Sequence, residues 1–273
     1  MRYETVQKLN DEDFKRCTGV QRNTFEQMLA VVEAGLRNFG RPTTLSRADQ
    51  LLMTLMYWRE YRTEFHIGLT YGVSESTVCR TIQKVENALI QSKQFHLPGK
   101  KALQPSNTIF EIVLVDATEQ PVERPKKGQK RHYSGKKKRH TQKAQLMADL
   151  NTEQILATDF CHGSCHDFQL FKQSRSIVAE RICILADAGY QGVSSLHSNS
   201  QTPAKKSKLH PLNAEQKDAN RKLSKKRILI ENIIRKLKIF RILSERYRNR
   251  RKRFGLRFNL IAAIYNLELK PAP

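Results

Sequence analysis

Apolar residues in the first hundred positions recur at helical spacing. Leu51, Leu52, Leu55, Met56 and Trp58 fall three or four apart behind Ser46, a residue suited to cap a helix N-terminus. A second short helix fits 63–71, Gly72 can supply a turn, and Ser74 can cap a third helix carrying Val78, Ile82, Val85 and Leu89. Two helices joined by a short glycine-containing turn predict a helix-turn-helix. Glu75, Ser76, Thr77 and Arg80 then open its second helix, where side chains reach base edges in a DNA major groove. A plain three-helix bundle uses the same stripes for its core.

From residue 92 to 108 the periodicity lapses, and Pro98, Gly99 and Pro105 mark a linker. Beyond it the period changes. Ile112, Val113, Leu114 and Val115 form a continuous apolar run typical of a buried strand, and 145–150, 154–160 and 182–186 read as further strands. A helix is expected from Asp167. A long one near the end carries Leu223, Ile230, Ile233, Ile234 and Leu237 along one face, and 258–267 reads as core packing. The expected organisation is an all-α domain over 1–91, a linker over 92–108 and an α/β catalytic domain over 109–270.

Charge sharpens this picture. The 273 residues include 49 Lys and Arg against 26 Asp and Glu, a formal net charge of +23. Such a field attracts polyanions, so nucleic acid is the expected partner. Five scattered cysteines do not suggest a disulfide framework. Residues 1–10 hold no apolar segment of a secretory signal, and no stretch approaches the roughly 18 uninterrupted apolar residues of a membrane span. The expected setting is cytoplasmic and nucleoid-associated, with no membrane partner and no small-molecule substrate.

Two aspartates follow the expected buried strands: Asp116 after 112–115 and Asp187 after 182–186. Open α/β sheets place ligands beyond the carboxyl ends of their strands. A carboxylate there is costly to bury unless it is paired or bound to a cation. Singly, either aspartate is accounted for as a turn cap. Together, on so basic a chain, they point to hard divalent ions and phosphodiester chemistry.

Several blocks then fall into an ordered series. They are Val115-Asp116-Ala117-Thr118-Glu119, the run from His132 through Tyr133, Ser134 and Gly135 to Lys136, Lys137 and Lys138, Gly163-Ser164-Cys165-His166-Asp167, Asp187-Ala188-Gly189-Tyr190-Gln191-Gly192, and Ile230-Glu231-Asn232. The series resembles that of insertion-sequence DDE transposases related to the Harbinger-type group, over nearly the whole chain. The resemblance implies a ribonuclease-H-like catalytic domain preceded by the helix-turn-helix. It also implies that Asp116, Asp187 and Glu231 bind two divalent ions, Mg²⁺ or Mn²⁺, to cut DNA and join the freed ends. His166, Asp167 and Tyr190 would support that site. A related bacterial pattern of Tyr, Arg, Glu and Lys is met by Arg227, Glu231 and Lys238, while Ser224 replaces the tyrosine. These three residues share one side of a helix, which would flank a metal ligand with two phosphate-binding cations. An exposed, salt-bridged helix has the same spacing.

Half of the residues from Arg124 to Lys143 are Lys or Arg, interleaved with His132, Tyr133 and His140. Phosphate contact by Lys136, Lys137 and Lys138, with Tyr133 stacking on an unpaired base, is the expectation. The stretch 246–253 is expected to grip backbone as well. Cys161, His162, Cys165 and His166 lie too close together to form the two spaced pairs of a structural zinc site. Double-stranded DNA, as element ends and target, is thus the expected substrate, with self-association on it. The alternatives are a transposase-derived DNA-binding regulator that no longer cuts, an RNA-directed nuclease of the same fold, and an electrostatic nucleoid protein. A recombinase using Tyr133 or Tyr190 as covalent nucleophile explains fewer residues.

Overall fold

The structure, a computed structural model, describes residues 2–36, 43–104, 109–206, 211–249 and 251–269. Pro105 of the expected linker, Arg250 of the second basic stretch and residue 270 lie outside them. Two compact units result, and they do not follow the chain in order. The first takes residues 1–96, 237–245 and 256–273, and the second takes 97–236 and 246–255.

The first unit begins with six helices: α1 (Tyr3–Val6), α2 (Asp11–Thr18), α3 (Arg22–Gly35), α4 (Arg47–Arg59), α5 (Glu64–Tyr71) and α6 (Glu75–Gln91). Every residue of α4 from Asp49 to Trp58 is buried, because α2, α3, α5 and α6 all pack around it. Ser46 caps α4 by accepting from the Asp49 N–H at 3.0 Å. Thr63 caps α5 and Ser74 caps α6, the latter accepting from the Thr77 N–H at 3.3 Å. Between them Gly72 takes the left-handed conformation (φ 68°) that ends α5. The helix-turn-helix read from the sequence is therefore formed by α5 and α6.

The second unit is built on a sheet. Its elements are β1 (Ile112–Pro121), α7 (Gln129–His132), β2 (Tyr133–Ser134), β3 (Arg139–Asp149), β4 (Ile155–His162), α8 (Asp167–Ser174), β5 (Cys183–Ala186), β6 (Ser200–Gln201) and α9 (Ala214–Leu237). β4, β3 and β1 pair antiparallel in that spatial order, and β5 and β6 continue the sheet in parallel beyond β1. This is the ribonuclease-H-like α/β arrangement. β2 extends it by pairing with the start of β3.

Val113, Val115, Met147, Ile184 and Ala186 share a core with Phe171 of α8 and with Tyr190. Strand alternation turns Leu114, Asp116, Leu146 and Leu185 to the opposite face. α9 buries Leu223, Ile230 and Ile233. One expectation is corrected here. β1 does not stop at Val115 but continues through Asp116 to Pro121, because β3 supplies an antiparallel partner along that whole length.

The last helix, α10 (Phe254–Leu269), contributes residues 256–269 to the first unit. Its Leu260 to Ile264 run is buried on every side. At the centre of that unit the Arg257 Nε donates to Glu86 Oε1 of α6 at 2.6 Å, and the Trp58 indole N–H of α4 donates to the same oxygen at 3.1 Å. The Arg257 and Glu86 side chains are 4% and 0% exposed, so this is a fully desolvated ion pair. Among the described residues no helix is long and apolar enough to cross a membrane.

Removing one partner of such a pair strands the other charge without water. Glu86→Leu is expected to lower the unfolding free energy by about 3–5 kcal/mol. Glu86→Leu combined with Arg257→Met is expected to cost less than Glu86→Leu alone, as read from urea unfolding of the two variants.

Candidate active site

The parallel pairing of β1 with β5 sets the geometry. Val115 is registered against Ala186, so the residues that follow, Asp116 within β1 and Asp187 just past the end of β5, leave on the same side. β5 ends there while β1 continues, which opens the sheet beside Asp116. The Asp116 Oδ1 accepts from the Ala117 N–H at 2.8 Å, and the Asp187 Oδ1 accepts from the Gly189 N–H at 2.7 Å as it caps a 3₁₀ turn over Ala188–Tyr190.

Burial is the main reason that Asp116 titrates high, at about 6 against an ordinary 3.8. The charges of Asp187 and Asp167 push the same way, while the Ala117 N–H and the Arg227 guanidinium oppose them. Crowded acidic oxygens with only partial compensation are the donor set that a hard divalent cation prefers. The pair therefore fits a metal site. Among the described residues, however, no three His, Cys, Asp or Glu side chains converge closely enough to hold an ion among them.

Asp167 opens α8 and reaches the same place from the other side. A Cβ on Gly189 would lie 2.7 Å from Asp167 Oδ2 and 2.8 Å from Asp187 Oδ1, so only glycine lets the two carboxylates close on this turn. The other Asp167 oxygen accepts from the Lys143 Nζ at 2.6 Å, and that ammonium also lies 3.8 Å from Glu119. Glu119 in turn accepts from the Thr141 hydroxyl at 2.8 Å. Lys143, Glu119 and Gln145 are on the sheet face opposite Asp116, so the lysine neutralises Asp167 and Glu119 without neutralising Asp116. The sequence reading missed this use of Lys143. Its signal was alternation: an isolated cation inside a strand, in register with Glu119.

Tyr190 is fully buried and donates its hydroxyl to Gln145 Oε1 at 3.3 Å. Burial, then the charges of Asp116, Asp167 and Asp187, keep its phenol well above the ordinary range. A buried phenol held protonated in this way is a poor nucleophile. His166 sits at the N-cap of α8, and its side chain makes no capping bond.

On α9, Arg227 falls within the stripe that buries Leu223 and Ile230; its Nε is buried with no hydrogen-bond partner, within electrostatic reach of Asp116. Glu231 is one turn further along the same side, and it is exposed. Lys238 follows the last residue of α9 and falls in the first unit. Asp116 and Asp187 are thus brought together with Arg227 and Asp167, and Glu231 is not among them.

Elsewhere, Glu75, Ser76 and Arg80 are exposed at the start of α6, while Thr77 is half-buried. The hydroxyls of Ser76 and Thr77 are 3.0 and 2.9 Å from that of Ser74, inside the cap. Lys136, Lys137 and Lys138 are exposed in the turn between β2 and β3. Cys161 is pushed up chiefly by burial and then by its hydrogen bond with Cys165.

Two family models match this chain. Residues 108–267 match the transposase DDE domain, and residues 43–94 match the helix-turn-helix of DDE superfamily endonucleases. A protein of Microchaete diplosiphon, described as a probable transposase for insertion sequence element IS702, is 50% identical over 272 residues, 98% of this chain and 99% of that protein. No solved structure matches.

The Asp116 carboxyl has a measurable consequence for the metal-free protein. The folded state holds this proton more tightly than the unfolded chain, so stability is lost as pH rises from 3.8 to about 6 and stays lost above it. Asp116→Asn keeps the Ala117 hydrogen bond and removes the charge. It is expected to raise metal-free stability by about 1–3 kcal/mol near pH 7 and by little near pH 3.5, as read from urea midpoints.

Proposed function

This chain belongs to the DDE transposase family, and on that footing we propose that it binds the ends of an insertion sequence, cuts them to free 3′-OH groups and joins these to target DNA. Asp116 and Asp187, side by side where β1 and β5 part, are the observation that carries this reading. Within the family, the Harbinger-type branch is the place we propose for it.

DDE transposases use divalent metal ions. Here Asp116, Asp187 and Glu231 would hold Mg²⁺ or Mn²⁺, with Glu231 entering from the side of α9 that carries Arg227. Bound there, such ions would activate a water and stabilise the charge on the departing 3′ oxygen. Arg227 would fix the scissile phosphate beside Asp116, and Lys238 would contact phosphate as a point charge. Asp167, neutralised by Lys143, would hold the turn that presents Asp187, and His166 and Tyr190 are proposed as its supporting groups. The 3′-OH freed by the cut would then attack a phosphodiester of the target and displace the target strand's own 3′ oxygen, with no covalent protein–DNA bond at any stage.

The helix-turn-helix would read the element end. Glu75, Ser76, Thr77 and Arg80 at the start of α6 are the residues proposed to reach the bases. Joining two ends calls for self-association on DNA, and double-stranded DNA on the nucleoid is the proposed setting.

The test is metal-dependent cleavage of labelled DNA spanning the flanks of the chain's own gene. Wild type is expected to yield 3′-OH ends only with Mg²⁺ or Mn²⁺, and Asp187→Ala to yield none. Tight binding by wild type with no cleavage in either metal would sink the proposal in favour of a DNA-binding regulator.

A further inference from the structure

Two basic stretches far apart in the chain are stitched into a single surface of the second unit. The first leaves β1 at Val122 and returns through α7, β2 and the lysine turn into β3. The second comprises residues 246–249 and 251–253. Tyr247 joins them: its N–H donates to Pro121 O at 2.8 Å, its carbonyl accepts from the Glu123 N–H at 3.3 Å, and it pairs in parallel with Val122. Its ring is fully buried, edge-on to Phe254 at 5.3 Å, and Phe254 is edge-on to Phe160 of β4 at 5.6 Å. The Tyr247 hydroxyl donates to Lys252 O at 2.7 Å. A second tie is the contact of the Arg251 guanidinium with the buried His132 ring, just before β2. From the end of β4, the Ser164 hydroxyl donates to Arg131 O at 2.7 Å. Both stretches are therefore held against the end of the sheet.

What they present is almost wholly cationic. From Glu123 to Arg139 the sole carboxylate is Glu123 itself, while Arg124, Lys126, Lys127, Lys130 and the lysine turn are exposed, as is Lys252 of the second stretch. Lys138, Arg251 and Arg253 stand at φ 51°, 67° and 59°, left-handed conformations unusual for such side chains. Strain of this kind persists where the surrounding structure fixes it, and it gathers at ligand clamps. Like charges gathered by backbone ties repel one another until a polyanion neutralises them.

The register fixes how far this surface lies from the carboxylates. Asp116 is opposite Leu146, Pro121 is opposite Thr141, and the lysine turn follows at Lys138. At about 3.4 Å per residue, Pro121 is about 17 Å along the strand from Asp116, and Lys138 is about 27 Å from Leu146. Duplex DNA rises about 3.4 Å per base pair, so the same span covers about five to eight base pairs.

We propose that this composite surface seats the phosphate backbone of duplex DNA about five to eight base pairs to one side of the scissile phosphate, without reading its sequence. The inference rests on the DNA-cleavage reading and adds where the flanking duplex runs. Exposed lysines gripping phosphates position a duplex and carry no base code, which distinguishes this seat from the helix-turn-helix.

The test uses the full chain and random-sequence 30-base-pair duplexes, with affinity followed by fluorescence anisotropy across a NaCl series. One variant is K136Q/K137Q/K138Q and the other is R246Q/K252Q; all five residues are exposed, and circular dichroism checks that each variant folds. Both are expected to flatten the slope of log K against log salt, by about 0.9 for each phosphate that the variant no longer neutralises. A second arm trims the cleavage substrate on either side of the cut. The lysine-turn variant is expected to match wild type once one flank is shorter than about five base pairs. Unchanged slopes in both variants, or a lysine-turn defect independent of flank length, would overturn the inference while cleavage by wild type left the transposase reading standing. Flattened slopes without cleavage by wild type would instead remove the transposase reading, and with it the placement beside a scissile phosphate.

Discussion

Everything proposed for this chain depends on two carboxylates that leave a pair of parallel strands on the same side. The register of Val115 against Ala186 makes Asp116 and Asp187 neighbours, and the early end of β5 leaves them room. Burial and mutual repulsion hold a proton on Asp116 to about pH 6. An arrangement that costs stability in the empty protein is what a cation-binding site looks like before its cation arrives. The surrounding structure maintains that tension. Lys143 is the nearest strong counter-charge on the neighbouring strand, yet alternation commits it to Glu119 and Asp167 on the other face. Gly189 lets Asp167 close on the turn of Asp187, and Tyr190 fills the space beneath.

Charge is partitioned on a larger scale too. A chain with a net +23 carries its carboxylate cluster at the end of β5 and its densest cations at the far end of β1 and β3. A polyanion drawn by the second meets the first through one sheet, and strand register sets the spacing between them. In the first unit the ion pair of Glu86 and Arg257 has a different job. It ties α10 to the second helix of the helix-turn-helix, so the end of the chain completes the unit that begins it.

Much of this was legible in the sequence wherever local chemistry decides. Ser46 and Ser74 cap the helices they were expected to cap, and Gly72 makes the expected turn. The buried strands were visible as apolar runs. Asp116 and Asp187 were visible because each follows such a run. What stayed hidden depends on pairing between distant segments. The continuation of β1 past Asp116 needs β3 as a partner, since Thr118, Glu119 and Gln120 carry no apolar run of their own. The role of Lys143 required the register, and the union of the two basic stretches required the bridge at Tyr247. Glu231 marks the opposite case. Its spacing from Arg227 is legible in one dimension, but its side chain is exposed, whereas Arg227 is half-buried and within electrostatic reach of Asp116.

Manganese binding, followed by electron paramagnetic resonance on the full chain near neutral pH without DNA, tests the central claim most directly. Wild type is expected to take up Mn²⁺, and Asp116→Asn and Asp187→Asn each to abolish that uptake while remaining folded. Uptake that survives both substitutions undiminished would contradict the claim that the β1–β5 register builds the metal site.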